Sequence, residues 1–307
     1  MSTATERFVL TRELPGLPSD LPNAVTWPAI GGIARFGHTQ AGDLCFCDRE
    51  PGPEYDAVAA GTVLLCSEGL AEALSQRYPG VLCIPAPDPR ALFIDLGHHL
   101  LAAQAVDVSD AVPRPFGIHP EARIGAHCDI HPETRIDAGA RIGAQCVIHR
   151  GSWIQAGAVI RDQATIGVPG INAYRGLDGR VRNFPHFASA IIGPETEIGA
   201  GSVVVRGLLS STLIGAGCVL GNLCNVGHGV ELGDQVWMSV GTLVGGHTRI
   251  HTGATLGMGV AVKDNITIGE RVQIGMGSVV TKSVKAGASV FGNPARPVGA
   301  IQAGPGR

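Results

Sequence analysis

Asn225-Val226-Gly227-His228-Gly229 sets an imidazole between two glycines, and eighteen positions after His228 stands Gly246, followed directly by a second imidazole, His247. Histidine ionises near neutrality and can therefore take a proton from an attacking amine, while an unobstructed backbone N–H can hold the oxyanion of a tetrahedral intermediate. A general base beside such a donor suits acyl transfer to an amine. In that scheme His228 is the base, Gly246 the oxyanion donor and His247 a second catalytic candidate. The scheme requires a fold in which positions 18 apart lie side by side.

The chain carries a pattern with that property. From Ile118 an aliphatic residue returns every sixth position through Ile166, resumes at Ile192, Ile198 and Val204, and runs again from Ile214 to Val280. These 24 rungs fit neither a helix of period 3.6 nor a strand of period 2. A fixed hexapeptide period marks a parallel β-helix, with three hexapeptides to a coil of 18 residues and hence eight coils. Each flat side buries its rung residue, and Gly or Asp beside the rung is expected to turn the corner. In this register the backbone of Gly246 lies one strand spacing from His228.

The same ruler places other residues. Gly241, Gly259 and Gly277 repeat at 18 and stack down one edge, where a long acyl donor could approach the backbone. Plain corner geometry is the alternative account of each. Lys282, Lys285 and Arg296 follow near the end of that edge and could meet phosphates. Cys128, Cys146, Cys218 and Cys224 each fall four residues after a rung, a slot held elsewhere by Ala, Ser or Thr, and are expected as small core residues. Cys45 and Cys47 alternate as in a strand, and C-x-C alone is a weak metal signal.

Two interruptions break the ladder. About twenty extra residues between Ile166 and Ile192 include Tyr174, Arg175, Arg182 and His186, and the loop 168–190 is expected to meet substrate. A smaller bulge covers Gly207 to Ser211. Residues 1–112 lack the beat and read as a small α/β domain, with strands at Asp43 to Cys47 and Thr62 to Cys66 and helices over Glu68 to Tyr78 and from Asp88-Pro89. Ala111 to Phe116, with two prolines, is the junction. The solenoid then spans 113–291, and 292–307 forms a tail.

The 307 residues are 45% hydrophobic and 16% charged, with 44 glycines and a formal net charge of −3. Nothing in this balance favours nucleic acid or an anionic membrane. Met1 to Leu10 carries Glu6 and Arg7 and does not read as a signal peptide, and no long uncharged apolar run suggests a membrane span. A reducing, cytoplasmic setting is the expectation.

These residues resemble the hexapeptide-repeat acyltransferases, and within them the UDP-3-O-acylglucosamine N-acyltransferase family of lipid A synthesis. The resemblance covers nearly the whole chain. It is carried by Gln40-Ala-Gly-Asp-Leu-Cys-Phe46, Ala60-Gly-Thr-Val-Leu-Leu, Val81-Leu-Cys-Ile-Pro, Gly170-Ile-Asn-Ala-Tyr174 with Asp178-Gly179 and Pro185-His186, Arg206-Gly207, and Asn222-x-Cys224-x-Val-x-His228. It implies a left-handed helix, a homotrimer with sites between subunits, and a nucleotide-linked amino sugar as acceptor. It also implies a thioester co-substrate rather than a permanent cofactor or metal. Phe46 would stack on the nucleotide base, with Arg49, Tyr174, His186 and Asn222 as further substrate contacts.

Several positions depart from the family pattern. Its acidic residue seven before the catalytic His is Gly221 here, a second family His falls on Asn265, and its Asn after the nucleotide-binding Phe aligns with Arg49. In place of the family's helical ending that engages acyl carrier protein stands Gly292-Asn293-Pro294-Ala295-Arg296, which resembles hexapeptide enzymes that use acetyl-CoA. An acyl-CoA donor is therefore expected, with a carrier-protein donor as the alternative. Two readings of other classes are a metalloenzyme like the γ-type carbonic anhydrases, for which no three-histidine set stands in register, and a purely structural solenoid.

Overall fold

The computed structural model describes residues 8–9, 29–30, 32–52, 57–102 and 112–299. Most of Met1 to Leu10 and the junction residue Ala111 lie outside the described residues. The chain divides into two compact units. One is drawn from Met1–Val108 and Ile171–Phe187, the other from Ser109–Gly170 and Ala188–Arg307.

In the second unit nearly every hexapeptide forms a short strand that ends on its rung residue, then a turn, while Thr165–Val168 and Val203–Val205 run past theirs. Arg141–Ile142 is typical: it pairs in parallel with Arg123–Ile124 one coil before and with Val159–Ile160 one coil after. Repetition of this unit stacks three parallel sheets, two of eight strands and one of ten. The rungs from Ile136 to Val280 are buried in one continuous core. Ile118 and Ile124 are exposed instead, because the first coil packs against a neighbouring coil on one side only. The coil count also exceeds eight slightly. Val284 bridges to Ile268, and Ser289–Phe291 adds to Gln273–Ile274 before Arg296–Val298 folds back antiparallel on it, so a partial ninth coil includes part of the expected tail.

The corners differ from the sequence expectation in an informative way. Among the described residues, every non-glycine with positive φ stands three positions after a rung: His127, Gln145, Gln163, Glu195, Leu223, Gln235, His247, Asn265 and Arg271. Glycines with positive φ hold the same slot on other coils, among them Gly139, Gly157, Gly217, Gly229, Gly241, Gly259 and Gly277. The left-handed turn is thus made three residues past the rung, not beside it. The slot two past the rung has its own use. There Asp162, Asn222 and Asp234 accept hydrogen bonds from the amides of Ala144 (2.7 Å), Ala200 (2.9 Å) and Ala216 (2.8 Å), the residues in the same slot one coil earlier.

The slot four past the rung holds the cysteines, as expected, and all eight cysteines are free. They do more than fill space. Cys146 Sγ donates to the Arg161 carbonyl (3.1 Å) and Cys218 Sγ to the Gly233 carbonyl (3.2 Å), as Thr196 Oγ1 does to Gly215 (2.7 Å) and Thr248 Oγ1 to Lys263 (2.9 Å). The slot selects a small side chain that can also donate to the next coil, which explains why Cys, Ser and Thr interchange there.

The first unit contains a four-stranded parallel sheet in the order Gly32–Ile33, Asp43–Cys47, Val63–Ser67, Leu82–Ala86. Alternation sends Cys45, Cys47 and Cys66 into a cluster with Leu74 and Tyr78. Helix Pro89–Ala102 follows the last strand and is capped by Asp88, whose Oδ1 accepts from the Ala91 amide at 2.9 Å. The inserted segment belongs to this unit as an antiparallel hairpin, Ala173–Arg175 with Val181–Asn183. Arg182 pins it by bridging Asp95 of the helix (3.0 Å) and Asp178 of the hairpin turn (2.8 Å). Gly97 makes room for it: a Cβ there would stand 2.7 Å from Phe187 and 2.8 Å from Pro185. No helix among the described residues is long and apolar enough to cross a membrane.

Candidate functional site

Strands Asn225–Val226 and Leu243–Val244 pair in register, Val226 opposite Val244. That pairing sets His228 against Gly246 and Gly229 against His247. A Cβ on Gly246 would overlap His228 Cε1 and stand 2.7 Å from Nε2 and 2.8 Å from Nδ1. The imidazole therefore lies directly over the glycine, and any side chain at 246 would have to displace it. The relation is reciprocal. A Cβ on Gly229 would stand 2.5 Å from His247 Nδ1, so the two rings cross over two glycines and meet edge to face with centroids 4.8 Å apart. The His247 amide donates to the His228 carbonyl at 2.8 Å, and the Gly246 carbonyl accepts from Asn265 at 3.0 Å. Among the described residues no hydrogen bond leaves the Gly246 amide.

The surroundings hold His228 neutral. Burial pushes its pKa from the usual 6.5 down to about 4, the neighbouring His247 pushes the same way, and Asp264 opposes them. Asp264 lies one coil beyond Gly246 in the slot two past the rung, since Val244 pairs with Val262. One coil before His228 the same slot holds Arg206, buried, its Nε donating to the Ala188 carbonyl at 2.7 Å. Asp264 was not among the residues that motif reasoning selected. The signal that finds it is the 18-residue step applied once more.

The glycine edge is as open as the register implies. Gly241, Gly259 and Gly277 have φ of +69°, +66° and +67°, and a Cβ on any of them would meet nothing within 4 Å. Positive φ, the corner account, favours glycine at each, although other coils place a non-glycine in the same slot. Exposed Met258 and Met276 flank them, and Lys282, Lys285 and Arg296 are exposed. Asn222 is engaged by the wall through its bond to Ala200.

The remaining expected contacts gather in the first unit. Phe46 is half-buried, 4.9 Å from Phe93 and 6.1 Å from Phe184 between ring centroids. The Arg90 guanidinium lies 5.5 Å from the Phe46 ring and 5.1 Å from the Tyr174 ring, and its Nη2 pairs with Asp48 at 2.7 Å. Tyr174 donates to Asp88 at 3.0 Å, and burial raises its pKa. His186 is buried and Arg49 is exposed. Arg90 is the residue that sequence reasoning missed, because nothing in the chain signals that one guanidinium will face both Phe46 and Tyr174. Among the described residues no group of three or more His, Cys, Asp or Glu side chains is arranged to hold a metal ion.

No protein-family model matches the chain, but individual relatives do. The UDP-3-O-acylglucosamine N-acyltransferase of Delftia acidovorans is 33% identical over 267 residues, 83% of this chain and 77% of that protein. That of Herminiimonas arsenicoxydans is 28% identical over 286 residues, 83% and 79% of the two chains. The enzyme of the same name from Caulobacter sp. strain K31 is 36% identical over 135 residues, a match that spans only 39% of its length. Among solved structures, a UDP-N-acetylglucosamine acyltransferase superposes with a TM-score of 0.50 over 61% of this chain and 72% of its own, at 21% identity. That likeness supports the fold as a left-handed parallel β-helix. The chain belongs to the UDP-3-O-acylglucosamine N-acyltransferase family of hexapeptide-repeat acyltransferases.

Proposed function

We propose that this chain moves an acyl group from a thioester to the amine of a UDP-linked glucosamine, with His228 as general base and the Gly246 amide as oxyanion donor. The observation that carries this reading is the imidazole lying over Gly246 beside an amide from which, among the described residues, no hydrogen bond leaves. In the forward step the acceptor nitrogen attacks the thioester carbonyl and a C–N bond forms. The carbonyl electron pair moves to oxygen, where the Gly246 N–H meets it, and His228 takes the amine proton. Collapse breaks the C–S bond, and the imidazolium returns the proton to the departing thiolate. His247, edge-on to His228, disfavours the cationic form of the base.

The acceptor class rests on the names of the relatives, and in this chain on the Phe46–Arg90–Tyr174 group, whose flat faces and cation suit a nucleotide. Arg49, His186 and Asn222 remain the further substrate contacts of this reading. For the donor, the open edge of Gly241, Gly259 and Gly277 with Lys282 and Arg296 beyond it favours an acyl-CoA, whose phosphates such cations would meet. A carrier-protein thioester is the second reading, favoured by the family itself. Active sites shared within a homotrimer complete the proposal. Val219 and Trp237, exposed register partners on one sheet, give the apolar surface that a neighbour would cover.

The test is substitution of the base. His228→Ala is expected to melt like the parent and to lose roughly 10²-fold or more in turnover of UDP-3-O-acylglucosamine, assayed with acyl-CoA and with acylated carrier protein. His247→Ala, the matched control, is expected to lose far less. Near-normal turnover in His228→Ala would remove that residue from the role.

A further inference from the structure

Four Asp or Asn residues stand in the slot two past the rung, Asp162, Asn222, Asp234 and Asp264, and three of them share a contact that the fourth, at the site, does not make. Asp162, Asn222 and Asp234 each fold back onto the amide one coil earlier. The aspartates lie over the preceding glycine as they do so: a Cβ on Gly143 would collide with Asp162 Oδ1, and one on Gly215 would stand 2.7 Å from Asp234 Oδ1. Asp264 occupies the same slot, and the amide one coil earlier is that of Gly246. Yet the nearest neighbours of a Cβ on Gly245 are the Asp264 backbone N at 2.5 Å and Cα at 2.9 Å, with no carboxylate oxygen among them. The carboxylate has turned aside, and its Oδ2 accepts from Asn265 Nδ2 at 2.6 Å.

We propose that Asp264 and Asn265 form a gate on the oxyanion donor, in which Asn265 is the positioning residue that holds the Asp264 carboxylate off the Gly246 amide. The physical reason is competition for one N–H. A carboxylate accepting from a backbone amide makes a charge-assisted bond, and two aspartates of this wall make it. At Gly246 such a bond would fill the place where negative charge develops in the transition state and would put like charge beside it. Turned aside, the carboxylate leaves the amide open and stays near enough to His228 to favour its imidazolium. Four other charged or titratable groups bear on this column: His247 across the corner, Lys263 next in chain, Arg206 one coil before His228, and Lys282 one coil after Asp264. This inference rests on the catalytic reading of His228 and Gly246, but the position of the gate can be read without substrate.

Asn265→Gly is the informative change, because Asn265 has a φ of +57° that glycine adopts freely. With glycine-selective ¹⁵N labelling of the full chain, the Gly246 amide proton is expected to move downfield and exchange more slowly in Asn265→Gly, as Asp264 closes on it. In Asp264→Ala/Asn265→Gly it should return to its position in Asp264→Ala. An unmoved Gly246 resonance in Asn265→Gly, or one that the second substitution fails to restore, would overturn the gate. Turnover of UDP-3-O-acylglucosamine with acyl-CoA or acylated carrier protein should fall at least tenfold in Asn265→Gly with KM for the acceptor unchanged, and the double variant should match Asp264→Ala. Asp264→Ala should also move the acidic limb of its pH profile to lower pH, a change that a purely structural role would not produce. Parental turnover in Asn265→Gly overturns the gate, whereas parental turnover in His228→Ala overturns the catalytic reading beneath it.

Discussion

At the scale of single residues, the environment of His228 sets a testable pH dependence. Its pKa lies near 4 because burial and His247 disfavour the cation more than Asp264 favours it. The imidazole is therefore neutral across the whole physiological range, and if it is the base, kcat at saturating acceptor is expected to stay level from about pH 8 down to about 5, then fall about tenfold per unit below about 4. An unperturbed histidine would place that limb near 6.5. The same shift acts on stability with a definite sign. The unfolded chain binds the His228 proton near 6.5 and the folded chain only near 4, so the contribution is complete above about 6.5 and is lost as pH falls toward 4. Thermal melts at stepped pH should show the parent losing more stability over that window than His228→Ala; equal losses would mean that His228 is not held neutral. The candidate pair itself was legible in the sequence, because the 18-residue step needs only that the ladder keep its register. Asp264 was equally reachable by that step, but its orientation was not, since a side chain choosing between two donors leaves no trace in spacing.

At the scale of elements, the ladder predicted the strands, the core and the cysteine slot because all three follow from period alone. It misplaced the corner, because rung aliphatics report what is buried and not where φ turns positive. The corner slot shows a second regularity, in which a non-glycine side chain often lies over the glycine one coil earlier: Glu195 over Gly157, Leu223 over Gly201, Gln235 over Gly217 and His247 over Gly229. The crossing of the His228 and His247 imidazoles is thus an ordinary feature of this wall with unusual residues in it. The edge of Gly241, Gly259 and Gly277 lacks such side chains, and there conformation and function can be separated. Gly259→Ala is expected to cost about 1 kcal/mol from the left-handed φ, and Gly259→Asn less, because asparagine tolerates that region. If the edge receives the acyl donor, both variants should raise the donor's KM, Asn at least as much as Ala despite its better stability. A donor KM that tracks stability, or does not move, would leave the three glycines as corner pieces.

At the scale of the whole molecule, sequence order misleads more than anywhere else. The insertion between Ile166 and Ile192 interrupts the solenoid in the chain, yet Ile171–Phe187 packs within the first unit, held by Asp88, Asp95 and Gly97. Period cannot reveal this, because the partners are an N-cap, a helix carboxylate and a missing Cβ about 80 to 90 residues away. The exposed apolar residues raise the matching question for the second unit. Trp237 is 56% exposed and Val219 46%, and the two are neighbours on one sheet; clustered apolar surface of this kind is characteristic of interfaces. A homotrimer would bury them, and sedimentation equilibrium is expected to give a mass three times that of one chain. Trp237→Glu would place a charge in that interface, which is costly when it has no partner, and should shift the species toward monomer with the coils still folded by circular dichroism. Should sites be shared between neighbours, turnover must fall in step with dissociation and recover on raising the protein concentration. A parent that sediments as a monomer, or a Trp237→Glu monomer with full turnover at high dilution, would leave each chain a complete enzyme.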